Sequence, residues 1–183
     1  MEQKSTFWKS AMIYGLYLGI GLVLYSVILY VTGQNTNTTL GYISILLSTV
    51  GIVLAQIYYR NRELNGVISF GQAVGFGVST ILFAGIIAAL YNIIIFKIDP
   101  SLIEQIKSAQ EEAMLKKGMS EDQIEAGMSM MSKMMTPGIM AISALIGSVF
   151  YGTIISLISS IFIKKEPSED AFDEAMEEVK TEE

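Results

Sequence analysis

Five methionines lie in the segment GMSMMSKMMTPG, residues 127–138. Thioether sulfur is a soft ligand that binds Cu(I), so an exposed cluster of this kind is a candidate soft-metal site. Met128, Met131 and Met135 follow Ile124 at the spacing of one helical face. Methionine is also a common filler of adaptable helix contacts. We therefore favour a packing or membrane-surface face, and we keep a metal site at these three methionines as the alternative.

The amino-acid composition excludes most other site chemistry. The chain has no cysteine and no histidine, which removes thiol nucleophiles, disulfides, Cys/His zinc sites and histidine bases. We predict that the protein is not an enzyme and has no cofactor. The net charge of −6 resides in residues 164–183, and the remaining sequence is neutral. Without a basic surplus we expect no nucleic-acid partner.

Four long uncharged segments indicate a membrane protein. They cover residues 10–31, 40–59, 70–96 and 138–163. A helix of about 20 residues crosses the hydrocarbon core of a bilayer, where backbone groups must be paired within the segment. Only 16% of the residues are charged, against about 25% in ordinary soluble domains. The predicted fold is all-α and polytopic, with four transmembrane helices in a domain spanning residues 1–165.

The segment between the third and fourth spans, residues 97–137, predicts a helical hairpin. Asp99-Pro100 is typical of a helix start, and Ser120 with Gln123 forms a capping-box pattern. Basic residues flank one side of the membrane more densely than the other. That side carries Lys4, Lys9, Arg60, Arg62, Lys164 and Lys165, against Lys97 and Lys133 on the opposite side. We therefore expect cytoplasmic termini, an outward-facing hairpin, and a disordered acidic cytoplasmic tail over residues 166–183.

The spans contain no Asp, Glu, Lys or Arg, which disfavours a proton relay or a charged transport pathway. Their polar residues include Gln56, Gln72 and Asn92. We expect Gln56 and Gln72 to lie at one depth and to share a hydrogen bond across a helical hairpin. The alternative is a polar solute pathway lined by Asn92 and Gln72.

Small residues at intervals of four predict close helix packing. Three stripes have this spacing: Gly15 with Gly19, Gly71 with Gly75 and Ser79, and Ser143 with Gly147. We favour packing within one bundle, and a seam between two copies of the chain is the alternative.

The order of these parts resembles a known family. The distinctive segments are FGQA (Phe70–Ala73), SEDQIE (Ser120–Glu125) and MMSKMMTP (Met130–Pro137). Together they resemble a family of short four-helix membrane proteins, mostly from Bacteroidetes-type bacteria, catalogued as a domain of unknown function (DUF4199). The resemblance covers roughly residues 5–165. It implies a bacterial inner-membrane protein with this topology, and it implies no activity.

We therefore expect an uncharacterised multi-pass protein of the bacterial inner membrane. Its expected role is that of a non-catalytic assembly or envelope-interaction module that uses the outward helical hairpin. The alternative is a small transporter or channel. The expected partners are the lipid bilayer and either another membrane or envelope protein or a second copy of the chain.

Overall fold

The computed structural model describes residues 2–166, which form six α-helices. Four of these helices are long and apolar enough to cross a membrane. The predicted all-α fold with four spans and an intervening helical hairpin is confirmed. The acidic tail expected from residue 166 lies, apart from Glu166, outside the described residues. The helices are α1 (Glu2–Val31), α2 (Thr38–Glu63), α3 (Phe70–Ile98), α4 (Ser101–Lys116), α5 (Glu121–Met134) and α6 (Pro137–Ile163).

Each spanning helix contains its predicted span. Helices α1 and α2 extend past it by several residues, whereas α3 and α6 exceed it by only two residues and one residue, and polar caps set several of these helix ends. The Asn37 side chain accepts from the backbone amide of Thr39 at 3.0 Å, and so begins α2 before the apolar run. Thr136 caps α6, with Pro137 in the first turn. At about 1.5 Å per residue these helices are roughly 40 Å long, against about 30 Å of hydrocarbon. Their ends therefore reach the headgroup layers.

Helix α3 is the centre of the bundle. It packs most extensively against α6 and α1, while α2 makes smaller contacts with α1, α3 and α6. One apolar cluster around Phe76 and Tyr59 lies towards the termini, and a second, formed by Ile52, Ile81 and Ala84, lies further along the bundle. The outer faces of the spanning helices carry many exposed large apolar side chains, as is expected where lipid is the solvent.

The bundle has two chemically different ends. We call the end with the helix α1 start, residues 64–69 and residues 164–166 the basic end. Here Ile68 and Lys165 exchange two backbone hydrogen bonds of 2.9 and 3.0 Å. The guanidinium of Arg60 donates to the Ile163 carbonyl oxygen at 3.0 Å. These bonds join the α2–α3 connection to the end of α6.

We call the opposite end, with residues 32–37 and the α4–α5 pair, the hairpin end. Helix α4 contacts α3, and α5 packs against α4. The Asp99-Pro100 start is displaced by one position, because α4 begins at Ser101 and Pro100 is its N-cap residue. Asp99 Oδ1 accepts from the Ser101 amide at 3.1 Å and from its hydroxyl at 2.6 Å. The Tyr30 hydroxyl donates to Asp99 Oδ2 at 3.2 Å, so α1 is tied to the α3–α4 junction.

Asp99 gives this junction a defined pH response. Hydrogen bonds from Ser101 and Tyr30 hold the pKa of the Asp99 carboxyl below its ordinary value. Because the folded pKa is lowered, the stabilisation is present above the ordinary carboxyl pKa and is lost as pH falls through the folded pKa. In an NMR titration of the Ser101 amide, the midpoint should lie below the ordinary value, and Ser101→Ala should raise it. A wild-type midpoint at or above the ordinary value would contradict this assignment.

Candidate functional site

Gln56 joins three spans at a fully buried position in the basic half of the bundle. Its side chain is 0% exposed. The amide nitrogen donates to the Ala73 carbonyl oxygen of α3 at 2.9 Å and to the Ser160 hydroxyl of α6 at 3.2 Å. Its amide oxygen accepts from the Ser159 hydroxyl at 2.6 Å. A single side chain on α2 therefore bonds to both α3 and α6.

The prediction of a hydrogen bond between Gln56 and Gln72 is wrong. Gln72 occupies the first turn of α3 on its exposed side, and its amide oxygen accepts from the backbone amide of Ser69 at 3.1 Å. Ser69 and Gln72 thus form a capping box. Gln56 instead points into the bundle and finds the Ala73 carbonyl oxygen. The two glutamines are near in depth, but the rotation of α3 separates their side chains.

Ser156 lies beside Gln56 in the same buried layer. It is 0% exposed, and within residues 2–166 its hydroxyl has no hydrogen-bond partner. A Cβ atom at Gly77 would overlap the Ser156 hydroxyl and would lie 2.7 Å from the Gln56 amide nitrogen. The helices therefore meet here without intervening space. Within the part of the chain that the structure describes, this layer contains no ionisable group, and its arrangement suits helix–helix attachment.

Gly15 and Gly19 lie where α1 meets α3. A Cβ atom on Gly15 would lie 2.5 Å from Cβ of Phe83 and 2.8 Å from the Thr80 carbonyl oxygen. At Gly19 the corresponding atom would lie 2.8 Å from Cδ1 of Ile87. Both glycines therefore permit direct contact between the two helices.

The other two stripes differ from the prediction of packing within the bundle. Gly71, Ser143 and Gly147 are exposed, and a Cβ at Gly71 or Gly147 would meet no atom within 4 Å. A Cβ at Gly75 would reach only Phe7, at 3.9 Å. Ser79 is buried, although its stripe neighbours Gly71 and Gly75 are not in close helix contact. The alternative of a seam between two copies stays a prediction.

Sequence reasoning missed the residues that bring α3 and α6 together. These are Gly77 and Gly85 on α3 and Gly152 on α6, where a Cβ would overlap or nearly overlap the facing helix. At Gly152 the overlap is with the Ile81 side chain. The signal was present, since Gly77 and Gly85 are eight residues apart and so share a helical face. The prediction used only the more familiar four-residue spacing, which the same helix also carries, and so did not include this eight-residue pair.

Two adjoining clefts open between the spans in the hairpin half of the bundle. The hairpin-end cleft has a volume of 290 Å³ and contains Asn92. The mid-bundle cleft has a volume of 400 Å³ and shares Ser26 and Ser44 with the first. The hairpin-end cleft is lined by Ser26, Leu29, Asn35, Gly41, Ser44, Tyr91, Asn92, Ile95, Phe96, Leu102 and Ile106. The mid-bundle cleft is lined by Leu22, Ser26, Ser44, Ile45, Ser48, Ile81, Ser148 and Tyr151.

A third concave surface lies on the hairpin itself, and we call it the hairpin groove. It has a volume of 690 Å³. Apolar residues of both helices form part of its surface, and three carboxylates line it. The groove is lined by Lys107, Glu111, Leu115, Glu121, Ile124, Glu125, Met128, Ser129 and Ser132.

The methionines of residues 127–138 lie in two environments, and Met135 is the residue that follows the end of α5. Met128 lines the hairpin groove, and Met131 and Met135 are half-buried. Met130 and Met134 are 70% and 52% exposed. Gly127 approaches α4, where its Cβ would lie 3.4 Å from the Met114 methyl carbon. The soft-metal site at Met128, Met131 and Met135 stays a prediction.

The fold and these surfaces define a multi-pass helical membrane protein with a helical hairpin at one end of its bundle. The chain belongs to the family described as a protein of unknown function (DUF4199), whose model matches residues 13–165. The match covers all four spans and the hairpin, starting within α1. No curated protein and no solved structure matches the chain.

Proposed function

We propose that this protein is a non-catalytic interaction module of the bacterial inner membrane. In this proposal both termini lie in the cytoplasm and the hairpin projects from the outer face. Its partner is a cationic amphipathic segment of another envelope protein. The observation that carries the proposal is the hairpin groove, which combines an apolar floor with three carboxylates outside the membrane spans.

The distribution of charge supports the proposed orientation. Lys9, Arg60, Arg62, Lys164 and Lys165 lie at the basic end. Cytoplasmic ends of spans carry an excess of such residues, which supports a cytoplasmic basic end and an external hairpin.

The chemistry of the groove supports the choice of partner. Ile124 is buried at 6% exposure, and Met128 and Leu115 extend the apolar surface around it. Glu111, Glu121 and Glu125 outnumber the single Lys107 in the groove lining. Lys107 is itself paired with Glu104 at 2.7 Å. An apolar helix face flanked by lysine or arginine would match both properties.

The test is site-specific photocrosslinking in intact cells, with the full-length chain in its own membrane. A photoreactive residue replaces Ser132, which lines the groove, or Ser108, which is exposed on α4 outside it. We expect the Ser132 position to capture a protein segment rich in basic and apolar residues. The Ser108 position should not capture it.

Charge-neutral variants sharpen this test. Glu111→Gln with Glu125→Gln should lower the crosslinking yield roughly threefold, because rim charges contribute about 0.2–1 kcal/mol each. Glu112→Gln with Asp122→Asn removes two hairpin carboxylates outside the groove and should leave the yield unchanged. Capture of a segment without basic residues, or equal effects of both pairs, would contradict the proposal.

A second candidate, a small transporter, is favoured by the two adjoining clefts. Asn92 lines the hairpin-end cleft, as a solute pathway would require. Gln72 does not line this cleft, and its side chain instead accepts a hydrogen bond within its capping box. Between the clefts and the Gln56 layer lie Ile52, Ile81 and Ala84, none more than 2% exposed. Transport would require this apolar layer to open. We therefore rank it second.

A further inference from the structure

We propose that the hairpin-end cleft and the mid-bundle cleft form one binding site for an uncharged, hydroxyl-bearing lipid. Its head would lie beside Asn92 and one acyl chain would follow the mid-bundle cleft. This site is separate from the hairpin groove, so the proposal does not depend on a protein partner.

The polar groups of the hairpin-end cleft lie at the depth of a lipid backbone. Ser26, Ser44 and Asn92 are each about 8–9 Å inside the hairpin-end limits of α1, α2 and α3, at about 1.5 Å per residue. The helices exceed the hydrocarbon thickness by about 5 Å at each end. The three side chains therefore lie just below the headgroup boundary, where the glycerol of a membrane lipid is found.

Two of these groups have unused hydrogen-bonding capacity. Within residues 2–166 neither the Asn92 amide nor the Ser44 hydroxyl has a hydrogen-bond partner. An unpaired amide within a membrane span is costly, and it can offer two donors and one acceptor to a ligand. Hydroxyl groups of a lipid head would both donate to and accept from it.

The absence of charge in the lining selects an uncharged head. Among the residues that the structure describes, neither cleft is lined by an acidic or basic side chain. A phosphate head in this cleft would lose part of its hydration with no cation in the lining to compensate for it. A diacylglycerol, or another lipid with a neutral hydroxyl head, avoids that cost.

The mid-bundle cleft continues the site as an open, mainly apolar groove. Apart from Ser44 at its junction with the hairpin-end cleft, its serine hydroxyls are turned to backbone carbonyls. Ser48 donates to the Ile45 carbonyl oxygen at 2.9 Å and Ser148 donates to that of Leu145 at 2.8 Å. Tyr151 donates to the Ile45 carbonyl oxygen at 3.2 Å. With their hydrogen bonds made internally, these residues present mainly carbon to the cleft. An acyl chain suits such a surface better than a free polyol does.

Helix α4 covers the head end of the site. Leu102, which is 4% exposed, and Ile106 line the hairpin-end cleft from above. The Tyr30–Asp99 hydrogen bond holds the α3–α4 junction beside α1. A lipid head in the cleft would therefore contact α4 as well as the three spans.

Two matched glycine substitutions test the proposal. Gly41 lines the hairpin-end cleft, and a Cβ there would meet no atom within 4 Å. Gly41→Leu should therefore fill the cleft without disturbing the fold. Gly21 has the same open surroundings but lines neither cleft, so Gly21→Leu is the control.

Binding is measured by native mass spectrometry of the purified full-length protein in detergent. The probes are dioleoylglycerol, dioleoylphosphatidylglycerol and free glycerol. We expect dioleoylglycerol to bind, Gly41→Leu to weaken binding at least tenfold, and Gly21→Leu to leave it unchanged. Asn92→Leu, which keeps a side chain of similar size, should weaken binding about tenfold through the loss of head contacts.

Three outcomes would overturn the proposal. One is equal binding of dioleoylglycerol by the Gly41→Leu and Gly21→Leu variants. Another is tighter binding of the anionic phosphatidylglycerol than of the neutral lipid. The third is saturable binding of free glycerol without binding of the lipid. Thermal unfolding of each variant confirms that the compared proteins are folded, and none of these outcomes bears on the hairpin partner.

Discussion

Replacing Gln56 with alanine should lower the free energy of unfolding by about 3 kcal/mol, through lost packing and lost hydrogen bonds. Gln56 is fully buried and bonds to Ala73, Ser159 and Ser160. Alanine would leave a cavity between α2, α3 and α6, and it would remove the nearer of the two acceptors of the Ser159 hydroxyl, leaving the Ser156 carbonyl oxygen at 3.3 Å. Since α2 otherwise makes only small contacts with each neighbouring helix, the packing of α2 against the bundle should weaken most.

The matched control is Gln72→Ala. Gln72 is exposed, and among the described residues it bonds only within its own capping box, so its loss should cost about 0.5–1 kcal/mol. Both variants can be unfolded in mixed micelles with increasing denaturing detergent, and the midpoints compared. Equal losses would mean that the buried layer around Gln56 contributes no more than a helix cap, contrary to its geometry.

Replacing Gly15 with alanine should destabilise the bundle by about 2 kcal/mol, within the range for overpacking in a filled core. The added Cβ would lie 2.8 Å from the Thr80 carbonyl oxygen and 2.5 Å from Cβ of Phe83. Both atoms belong to or adjoin the α3 backbone and cannot rotate away. Relief therefore requires α1 and α3 to separate, which would also loosen their contact at Gly19.

Gly147→Ala is the control because Gly147 belongs to a similar four-residue small stripe but is exposed with open space around it. Alanine has the higher helix propensity, by about 1 kcal/mol in aqueous hosts, so this variant should be neutral or slightly stabilised. The readout is the unfolding midpoint of both variants in the same micelles. Strong destabilisation by Gly147→Ala in monomeric protein would contradict the exposed placement. A change confined to the oligomeric state would instead support the seam between two copies.

The sequence by itself determined the number of spans, their approximate limits and the presence of the hairpin. Membrane insertion depends on the length and charge of a continuous segment, and both can be counted without knowing any neighbour. Local helix caps could also be predicted from the sequence, because Ser120 and Gln123 interact within one helical turn. The Gln123 side chain accepts from the Ser120 amide at 3.1 Å. The same local periodicity predicts the helical positions of Met128 and Met131, whereas Met135 lies just past the end of α5.

Only the tertiary structure decided which face of each helix meets which partner. Gln56 and Gln72 look alike in sequence, yet one is buried among three helices and the other caps its own helix. Gly15 and Gly147 share a spacing pattern, yet only Gly15 touches a neighbouring helix. In a span that is apolar on all sides, the sequence carries little information about rotation, because lipid and protein accept the same side chains. The rotation is set by how the helices fit together, and so the clefts and the buried polar layer emerge only in the assembled bundle.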